Sequence, residues 1–279
     1  MTLDDPRDEL AAFLRHHRGR VSPEQVGLPR SSGRRVPGLR REELAIVAGV
    51  SPDHYQRIEQ GRVRPSAQVL DALATVLGLD DTERAHLHAL AANLRSSAAG
   101  RATPRHQPPA SDVRGLQELV DSFAGPAFTL NPCRDVLTWN RLGAALITDF
   151  GKLPPHDRNM AWLAMTDPRL RDLYPDWKAA AQGQLAMLRR ASGQHPGDPR
   201  IEQLIGRLAA ASPEFVEWWP QQQVYEKTTG SKVFIHPELG PVTLGFHVLR
   251  PAGAPDVELI VYYPTTPEEH AWLAALGKL

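Results

Sequence analysis

Near the N-terminus, apolar residues recur at intervals of three or four positions. Leu10, Phe13 and Leu14 share one face of a helix that we expect to end near Gly19, because an α-helix returns to the same face after about 3.6 residues. The same period predicts four further helices, over residues 41–48, 52–59, 66–77 and 81–95. The first third of the chain is therefore predicted to be all-helical.

Two segments lack this period. The segment VSPEQVGLPRSSGRRVPGLR is rich in Pro, Gly, Ser and Arg, and predicts an extended basic loop or arm. The segment SSAAGRATPRHQPPASD loses the apolar anchors and concentrates small residues and prolines, which is typical of a linker. We therefore predict a helical domain over residues 1–96, a linker over 97–111 and a second domain over 112–279.

The second domain contains both strand patterns and helix patterns. AFTLN and DVLTW predict short strands on either side of a turn at Asn131–Pro132, and helices dominate residues 140–219. SKVFIHP, VTLGFHVLR and VELIVYYP predict three strands. Seven residues are expected to share one sheet face: Val233, Ile235, Leu244, Phe246, Val248, Ile260 and Tyr262. The pattern predicts a mixed α+β domain.

Composition narrows the class of protein. The length of 279 residues suits two domains, and the hydrophobic fraction of 42% allows packed cores. No apolar run is long enough for a transmembrane helix, and the N-terminus does not resemble a signal peptide. Cys133 is the only cysteine, so neither an internal disulfide nor a multi-thiolate zinc site is expected. These features favour a cytoplasmic protein with no membrane insertion.

The net charge of zero conceals an uneven distribution. Residues 13–64 contain eleven arginines, no lysine and five acidic residues, whereas residues 112–279 contain sixteen basic and nineteen acidic residues. The planar guanidinium group suits phosphates and guanine edges. The basic stretch therefore indicates either a nucleic-acid surface or a solvated basic face.

The segment RREELAIVAGVSPDHYQRIEQG, residues 40–61, fits two short helices that cross closely. Ala45 is small enough for the crossing, and Gly49 suits a turn that needs positive φ. Ser51 can cap the next helix, and Pro52 suits its first turn. An apolar face holds the pair together and consists of Leu44, Val50, Tyr55 and Ile58.

This segment resembles the repressor-type helix-turn-helix family often called Xre-like. The shared pattern comprises Leu44–Ala45, Gly49–Val50–Ser51, Tyr55, Arg57–Ile58–Glu59 and Gly61. The resemblance implies a five-helix DNA-binding domain that binds double-stranded DNA as a homodimer on paired half-sites, with residues 52–60 as the recognition helix. It assigns base contacts to Asp53, His54, Gln56 and Arg57. It assigns phosphate contacts to Arg40, Arg41, Arg62 and Arg64, and we expect further phosphate contacts from Arg34, Arg35 and Ser51.

Several of these assignments have alternatives. Glu59 fits a structural partner for an arginine better than a base contact. Asp53 could accept a hydrogen bond from a cytosine amino group or simply favour the helix N-terminus. The arginines of residues 30–41 could contact phosphate, enter a groove as an arm or lie in a solvated loop.

Aromatic residues are unusually frequent in the second domain. Together with Met165 and Met187, they are compatible with a ligand cavity lined by adaptable side chains. The alternative is an aromatic-rich core without a cavity. Composition alone favours that alternative.

Residues 112–279 resemble the MmyB-like ligand-binding domain that follows a helix-turn-helix in many actinobacterial regulators. The matching segments are VLTWN, DLYPDWKAAA, HPGDPR, SPEFVEWW and TGSKVFIHPELGPVTL. The resemblance implies a PAS-like sensor, in which helices cover one face of a small antiparallel sheet and enclose an apolar pocket for a fatty-acid-like ligand. No other cofactor is expected.

We assign the following residues to the lining of that pocket: Trp139, Asn140, Trp162, Tyr174, Trp177, Phe215, Trp218 and Phe246. Asn140, His236 and Lys232 could orient a polar head group. Asn140 could instead cap a strand end or a helix. His236 could be a turn residue, and Lys232 could be solvated.

Other classes of protein fit less well. No nucleophile elbow, phosphate-binding loop, dinucleotide fingerprint or HExxH motif occurs in the chain. His86 and His88 point to opposite sides of a helix, so they cannot share a metal. We therefore expect a transcriptional regulator without enzymatic activity, whose second domain binds an apolar small molecule or, alternatively, a protein partner.

Overall fold

A computed structural model describes residues 6–29, 37–94, 110–222, 224, 228–252, 254 and 256–279. The chain divides into two compact units. The first comprises Met1–Thr103, Arg189–Glu202 and Glu217–Tyr225, and the second comprises Pro104–Leu188, Gln203–Val216 and Glu226–Leu279. Most of the predicted linker lies outside the described residues. The boundaries predicted from the sequence therefore stay a prediction.

The helices of the first unit lie where the apolar period predicts them. Up to residue 94, the described chain forms α1 Pro6–Arg20, α2 Arg41–Val47, α3 Pro52–Glu59, α4 Ala67–Val76 and α5 Asp81–Asn93. Leu10, Phe13 and Leu14 of α1 are fully buried in the core that these helices share. The 3.6-residue period has thus located the buried face of α1 correctly.

Side-chain caps define where three of these helices begin. The Ser51 hydroxyl accepts a hydrogen bond from the His54 amide at 3.2 Å, and Asp80 accepts one from the Glu83 amide at 2.8 Å. Ser66 caps α4 in the same way. Each cap satisfies an amide that the helix itself leaves without a partner. The predicted cap at Ser51 is confirmed.

The second unit contains a five-stranded antiparallel sheet in the order β2-β1-β5-β4-β3. Its strands are β1 Ala127–Leu130, β2 Val136–Trp139, β3 Thr229–His236, β4 Gly240–Leu249 and β5 Glu258–Tyr263. The remaining helices are α6 Ala110–Asp121, α7 Arg141–Leu146, α8 Met160–Thr166, α9 Pro168–Leu173, α10 Trp177–Gln194, α11 Pro199–Ala211, α12 Pro213–Trp218 and α13 Pro267–Leu276. The predicted α+β composition is confirmed. The sequence pattern did not predict α6 and α13.

The two faces of this sheet are covered differently. Side chains of α7, α8, α9 and α13 pack with one face into the larger core. On the other face, Val120 of α6 packs against Ala127, Leu259 and Val261. Helices therefore cover both faces at β1 and β5, rather than one face only. No helix in the described part of the chain is long and apolar enough to cross a membrane.

The face predicted for β3 is wrong at two positions. Phe234 pairs with Val242 and is fully buried, whereas Val233 and Ile235 are 45% and 43% exposed. Successive side chains of a strand point to opposite faces. Because Val, Phe and Ile follow one another here, the alternation of apolar residues could not decide which face lies inward.

Two histidines are buried in the core of the first unit. His17 and His86 are each 3% exposed, and both rings pack against Phe13 at centroid distances of 4.3 and 5.3 Å. Burial is the largest cause that lowers the pKa of each imidazole to about 3. The folded unit therefore holds both side chains in the neutral form.

These histidines predict a loss of stability on mild acidification. Unfolded histidine binds a proton near pH 6.5, but the folded chain does not bind it until much lower pH. The stability that neutral His17 and His86 contribute is thus present above pH 6.5 and is lost as the pH falls toward 3. Between pH 7.5 and 5.0 we expect the free energy of unfolding to fall by about 2–4 kcal/mol. Urea titrations of the full chain at the two pH values, followed by far-UV circular dichroism, measure this difference in the free energy of unfolding.

His86→Gln should remove about half of this pH dependence. Ala85→Gln is the matched control, because Ala85 lies on the same helix and is exposed, and the substitution introduces no ionisable group. It should leave the slope of stability against pH unchanged. An unchanged slope in the His86 variant would show that this imidazole titrates in the folded state.

Candidate functional site

The third helix, α3, divides into a buried and an exposed side. Tyr55, Ile58 and Glu59 face the core and are at most 2% exposed. On the opposite side, Asp53, His54, Gln56 and Arg57 are exposed or half-buried. We call these four residues the outer face of α3. All four predicted base-contact residues therefore lie together on the surface.

A salt bridge organises part of the outer face. Arg57 Nε lies 3.3 Å from Asp53 Oδ2, one helical turn earlier. Exposed pairs of this kind contribute only about 0.3–0.5 kcal/mol. The pair also has a geometric effect, because the carboxylate restrains the orientation of the guanidinium group. Asp53 can therefore position Arg57 as well as contact a base.

The chain continues from α3 through a tight turn into an arginine-bearing loop. Gly61 has a φ of 62°, and Arg62 and Arg64 follow it with exposed side chains. Arg40, just before α2, is exposed too. These three guanidinium groups flank the helix pair, as a phosphate-binding role requires. Arg34 and Arg35 lie outside the described residues.

Gly49 supplies the turn between α2 and α3. Its φ is 69°, in the left-handed region that glycine adopts with little cost. Ala45 and Leu44 are fully buried nearby. The predicted turn and crossing are therefore present. Gly49 forms the turn and Ala45 lies at the crossing, as the sequence pattern predicts.

A buried carboxylate ties α3 to the two preceding helices. Glu59 Oε1 accepts a hydrogen bond from Arg41 Nε at 2.8 Å, and Oε2 accepts one from Arg18 Nε at 3.0 Å. Arg18 also donates to the Leu39 carbonyl at 2.8 Å. The Glu59 side chain is only 2% exposed. This confirms the interpretation of Glu59 as a partner for arginine, and it places a charged network directly behind the outer face.

The environment of Glu59 favours its ionised form. Burial opposes ionisation, but the nearby Tyr55 hydroxyl and the guanidinium groups of Arg18 and Arg41 outweigh it. Together they hold the pKa of the Glu59 carboxyl below its ordinary value. Arg41, which is predicted to contact a phosphate, binds Glu59 through its Nε, and its side chain is 45% exposed.

The second unit contains an extensive apolar cluster on the inner face of its sheet. Its fully buried aromatic members include Phe128, Phe150 and Phe234, with Tyr174 and Tyr262 each 6% exposed. Partly buried Trp139, Trp162, Trp177 and Phe246 pack against this cluster. Five predicted lining residues thus lie in or against it: Trp139, Trp162, Tyr174, Trp177 and Phe246.

The other three predicted lining residues lie elsewhere. Phe215 is fully buried but does not belong to this cluster, and Trp218 belongs to the first compact unit. Asn140 caps α7, where its Oδ1 accepts from the Gly143 amide at 2.7 Å. Its Nδ2 donates to the Gly125 carbonyl at 2.8 Å. The structure therefore gives Asn140 the capping role that was the alternative.

Arginines cover the indole rings at the edge of the cluster. The guanidinium carbon lies 4.0 Å from the ring centre for Arg207 over Trp162, and 3.8 Å for Arg171 over Trp177. Arg158 approaches Trp139 at 5.6 Å. Each contact combines cation–π attraction with removal of ring surface from water. The cluster is therefore apolar inside and bordered by arginine side chains, of which Arg171 and Arg207 also pair with Glu214 and Asp157.

Two polar candidates near the cluster are already occupied. His236 Nδ1 accepts from the amides of Glu238 and Leu239 at 3.3 Å. Its Nε2 lies 3.2 Å from the Ala145 carbonyl oxygen. His236 is therefore a turn residue, as the adjacent proline suggests. Neither His236 nor Asn140 has a ring or amide atom left to hold a head group.

Sequence reasoning missed two residues that the structure brings forward, Arg18 and Phe234. Arg18 lies 41 positions before its partner Glu59, so no local pattern could pair them. Phe234 and Tyr262 contact each other at a centroid distance of 5.2 Å across two strands. The alternation of β5 did indicate that Tyr262 lies on the inner sheet face.

Comparison with known proteins agrees with this layout. Residues 9–87 match the family described as helix-turn-helix domain, so the chain is a helix-turn-helix regulator by class. Residues 113–276 match the family described as MmyB-like transcription regulator ligand binding domain. Because this match spans more than half of the chain, the protein belongs to that family. No curated protein matches the chain significantly.

The charged network behind α3 generates a stability prediction. Glu59→Gln keeps the shape of the side chain but leaves Arg18 and Arg41 without their buried counter-charge. Because both arginines retain some contact with water, we expect a loss of about 1–3 kcal/mol in the free energy of unfolding. Chemical denaturation of the full chain measures this change.

Glu42→Gln provides the charge-matched control. Glu42 lies on α2 and is exposed, so its loss should change stability by less than about 0.5 kcal/mol. Equal effects of the two substitutions would contradict a special role for the buried carboxylate.

Proposed function

We propose that this protein is a sequence-specific DNA-binding transcriptional regulator that acts as a homodimer in the cytoplasm and catalyses no reaction. An apolar, fatty-acid-like ligand in the C-terminal domain changes its affinity for DNA. The observation that carries the proposal is the outer face of α3. It presents Asp53, His54, Gln56 and Arg57 on one exposed surface, while the opposite side of the same helix is anchored in the core.

The chemistry of the outer face suits the major groove of DNA. Arginine can bond both acceptors of guanine, and glutamine can pair with adenine. Asp53, 3.3 Å from Arg57, can hold the guanidinium in a bidentate orientation. The exposed Arg40, Arg62 and Arg64 supply charge for the phosphates. Base contacts select the sequence, whereas phosphate contacts position the protein.

The Xre-like resemblance supports the dimer, and the MmyB-like family supports the ligand. Two recognition helices about one DNA turn apart would read paired half-sites. A ligand changes DNA affinity only by its preference for one of two conformations, typically by about 1–3 kcal/mol. A PAS-like sensor with an apolar interior is the arrangement that we propose for this preference. The fifteen-residue segment assigned to the linker, 97–111, would transmit it.

One observation favours a second candidate function. Val233 and Ile235 are neighbours on the outer face of β3 and are 45% and 43% exposed. Exposed apolar residues that are neighbours on a sheet can bind a protein. In this alternative, the C-terminal domain recognises a protein partner instead of a small molecule.

Fluorescence anisotropy with DNA from the region upstream of the gene tests the main proposal. At about 150 mM salt, we expect binding at least about a thousandfold tighter than to random DNA, because specific binding normally exceeds non-specific binding by that factor. Failure of the delipidated protein on the upstream DNA and on a randomised library would refute the DNA-reading function.

A pair of substitutions separates base contacts from phosphate contacts. Arg57→Ala should cost about 1–3 kcal/mol on the specific site and relax the preference at one base pair. Arg62→Ala should weaken specific and random DNA alike, and flatten the salt dependence by about one unit. Arg62 is chosen over Arg41 because Arg41 also binds Glu59.

Both variants should be measured on the specific site, on single-base variants of it and on random DNA. Identical effects of Arg57→Ala on all three would show that this arginine reads no base.

A further inference from the structure

The C-terminal end of α10 belongs to the first compact unit. Residues of this helix up to Leu188 lie in the second unit, whereas Arg189–Glu202 and Glu217–Tyr225 lie in the first, together with α1 to α5. Val224 is 7% exposed in the core of the first unit. Both segments fall within residues 113–276, which match the ligand-binding family. The unit that carries the outer face of α3 is therefore completed by residues from the C-terminal half of the chain.

A glycine lets the end of α10 approach α5 closely. A Cβ atom at Gly193 would collide with Cε1 of His86 and would lie 2.8 Å from its Nδ1, closer than Cβ atoms come to other groups. Leu90 Cδ2 would lie 3.3 Å away. Asn93 of α5 donates a hydrogen bond from Nδ2 to the Gly193 carbonyl at 2.5 Å. Any larger side chain at Gly193 therefore has to push the end of α10 away from α5 or displace the His86 ring.

The same end of α10 contacts α1, both directly and through His86. The Ser192 hydroxyl donates a hydrogen bond to Glu9 Oε1 of α1 at 3.1 Å. The His86 ring packs on Phe13 of α1 at a centroid distance of 5.3 Å. Farther along α1, Arg18 binds the buried carboxylate on the inner side of α3. A continuous series of packed and hydrogen-bonded groups therefore joins the end of α10 to α3.

Arg189, one turn before Gly193, is buried at an energetic cost. Its side chain is 6% exposed, its Nη2 donates to the Trp219 carbonyl, and its guanidinium carbon lies 4.0 Å from the centre of the Trp219 ring. Among the described residues, its Nε and Nη1 have no hydrogen-bond partner, and neither has Nδ1 of His86. Burial lowers the pKa of Arg189 to about 9, so the guanidinium group is still charged at neutral pH. Because water would hydrogen-bond to these groups, opening the contact relieves a cost.

We infer that the contact which Arg189, Ser192 and Gly193 make in the first unit, here called the α10 contact, regulates DNA binding. When it is closed, it holds α1 and α5 and thereby keeps α3 in its DNA-binding position; when it opens, the affinity for DNA falls. The inference rests on the proposed function and adds its means of regulation. The earlier turns of the same helix lie in the second unit, where Trp177 packs against the apolar cluster. A ligand that changes this cluster can therefore act on the α10 contact through a continuous helix, besides the linker.

Two valine substitutions on α10 test whether this contact supports α1 and α5. Gly193→Val should open the α10 contact, because the new side chain collides with His86. Gly183→Val is the matched control on the same helix, since a Cβ atom there has no other group within 4 Å. Hydrogen exchange of the full-length protein without DNA, measured by mass spectrometry, should become at least about tenfold faster in peptides of α1 and α5 for Gly193→Val only. Unchanged exchange in these peptides would overturn the inference.

Arg189→Met is expected to act in the opposite direction. Methionine keeps an unbranched apolar side chain beside Trp219 but removes the buried charge and its two unpaired donor atoms. Because replacing a poorly paired buried charge by an apolar group is often stabilising, exchange in the peptides of α1 and α5 should slow. This variant keeps the inference testable if Gly193→Val does not fold. Faster exchange would overturn it, since the guanidinium group would then be what keeps the contact closed.

Fluorescence anisotropy of the same variants on the upstream DNA connects the α10 contact with DNA binding. Gly193→Val should weaken binding by about tenfold, a usual size for coupling between sites. Arg189→Met should bind at least as tightly as the parent, and Gly183→Val should match the parent. If exchange changes as expected but every variant binds like the parent, the contact is purely structural, and the inference fails while the proposed function stands. If the parent itself shows no preference for any DNA, the proposed function fails and the inference fails with it.

Discussion

The arrangement of the first unit depends on one buried carboxylate. Glu59 lies on the inner side of α3 and binds Arg18 from α1 and Arg41 from the start of α2. Burying a charge is costly unless it is paired and hydrogen-bonded. The network therefore has one satisfactory geometry, and that geometry fixes the rotation of α3 about its axis. Because the outer face of α3 is simply the opposite side of the same helix, its orientation follows from the same bonds.

Local chemistry made the first unit predictable from its sequence. Gly49 marks a turn because few other residues accept its φ of 69°, and Ser51 marks a helix start because its hydroxyl reaches the His54 amide. Each of these signals depends on residues within three or four positions of one another. Arg18 and Glu59, by contrast, are 41 positions apart in the sequence. The sequence identified Glu59 as an arginine partner but could not say which arginine.

The second unit was harder to predict for reasons that lie in its sheet. Val233, Phe234 and Ile235 are all apolar, so alternation allowed either face, and the pairing of Phe234 with Val242 decided it. Of the aromatic residues predicted to line a pocket, Phe215 and Trp218 lie outside the cluster, and the positions of the others within it differ. Trp139, Trp162 and Trp177 lie at the cluster edge beneath arginines. Arg171 and Trp177 are six positions apart, whereas Arg207 and Trp162 are 45 positions apart. Because the spacing differs so widely, no local pattern shows these contacts.

Buried polar groups without a partner occur in the first unit too. Among the described residues they include Nε2 of His17, the hydroxyl of Tyr55 and Nδ1 of His86. The carboxylate of Glu59, by contrast, accepts from two guanidinium groups. This difference follows from the costs, because an unpaired buried charge costs far more than an unpaired neutral group. The bonds of Glu59 are therefore the ones that the first unit cannot lose, and the position of α3 depends on the same bonds.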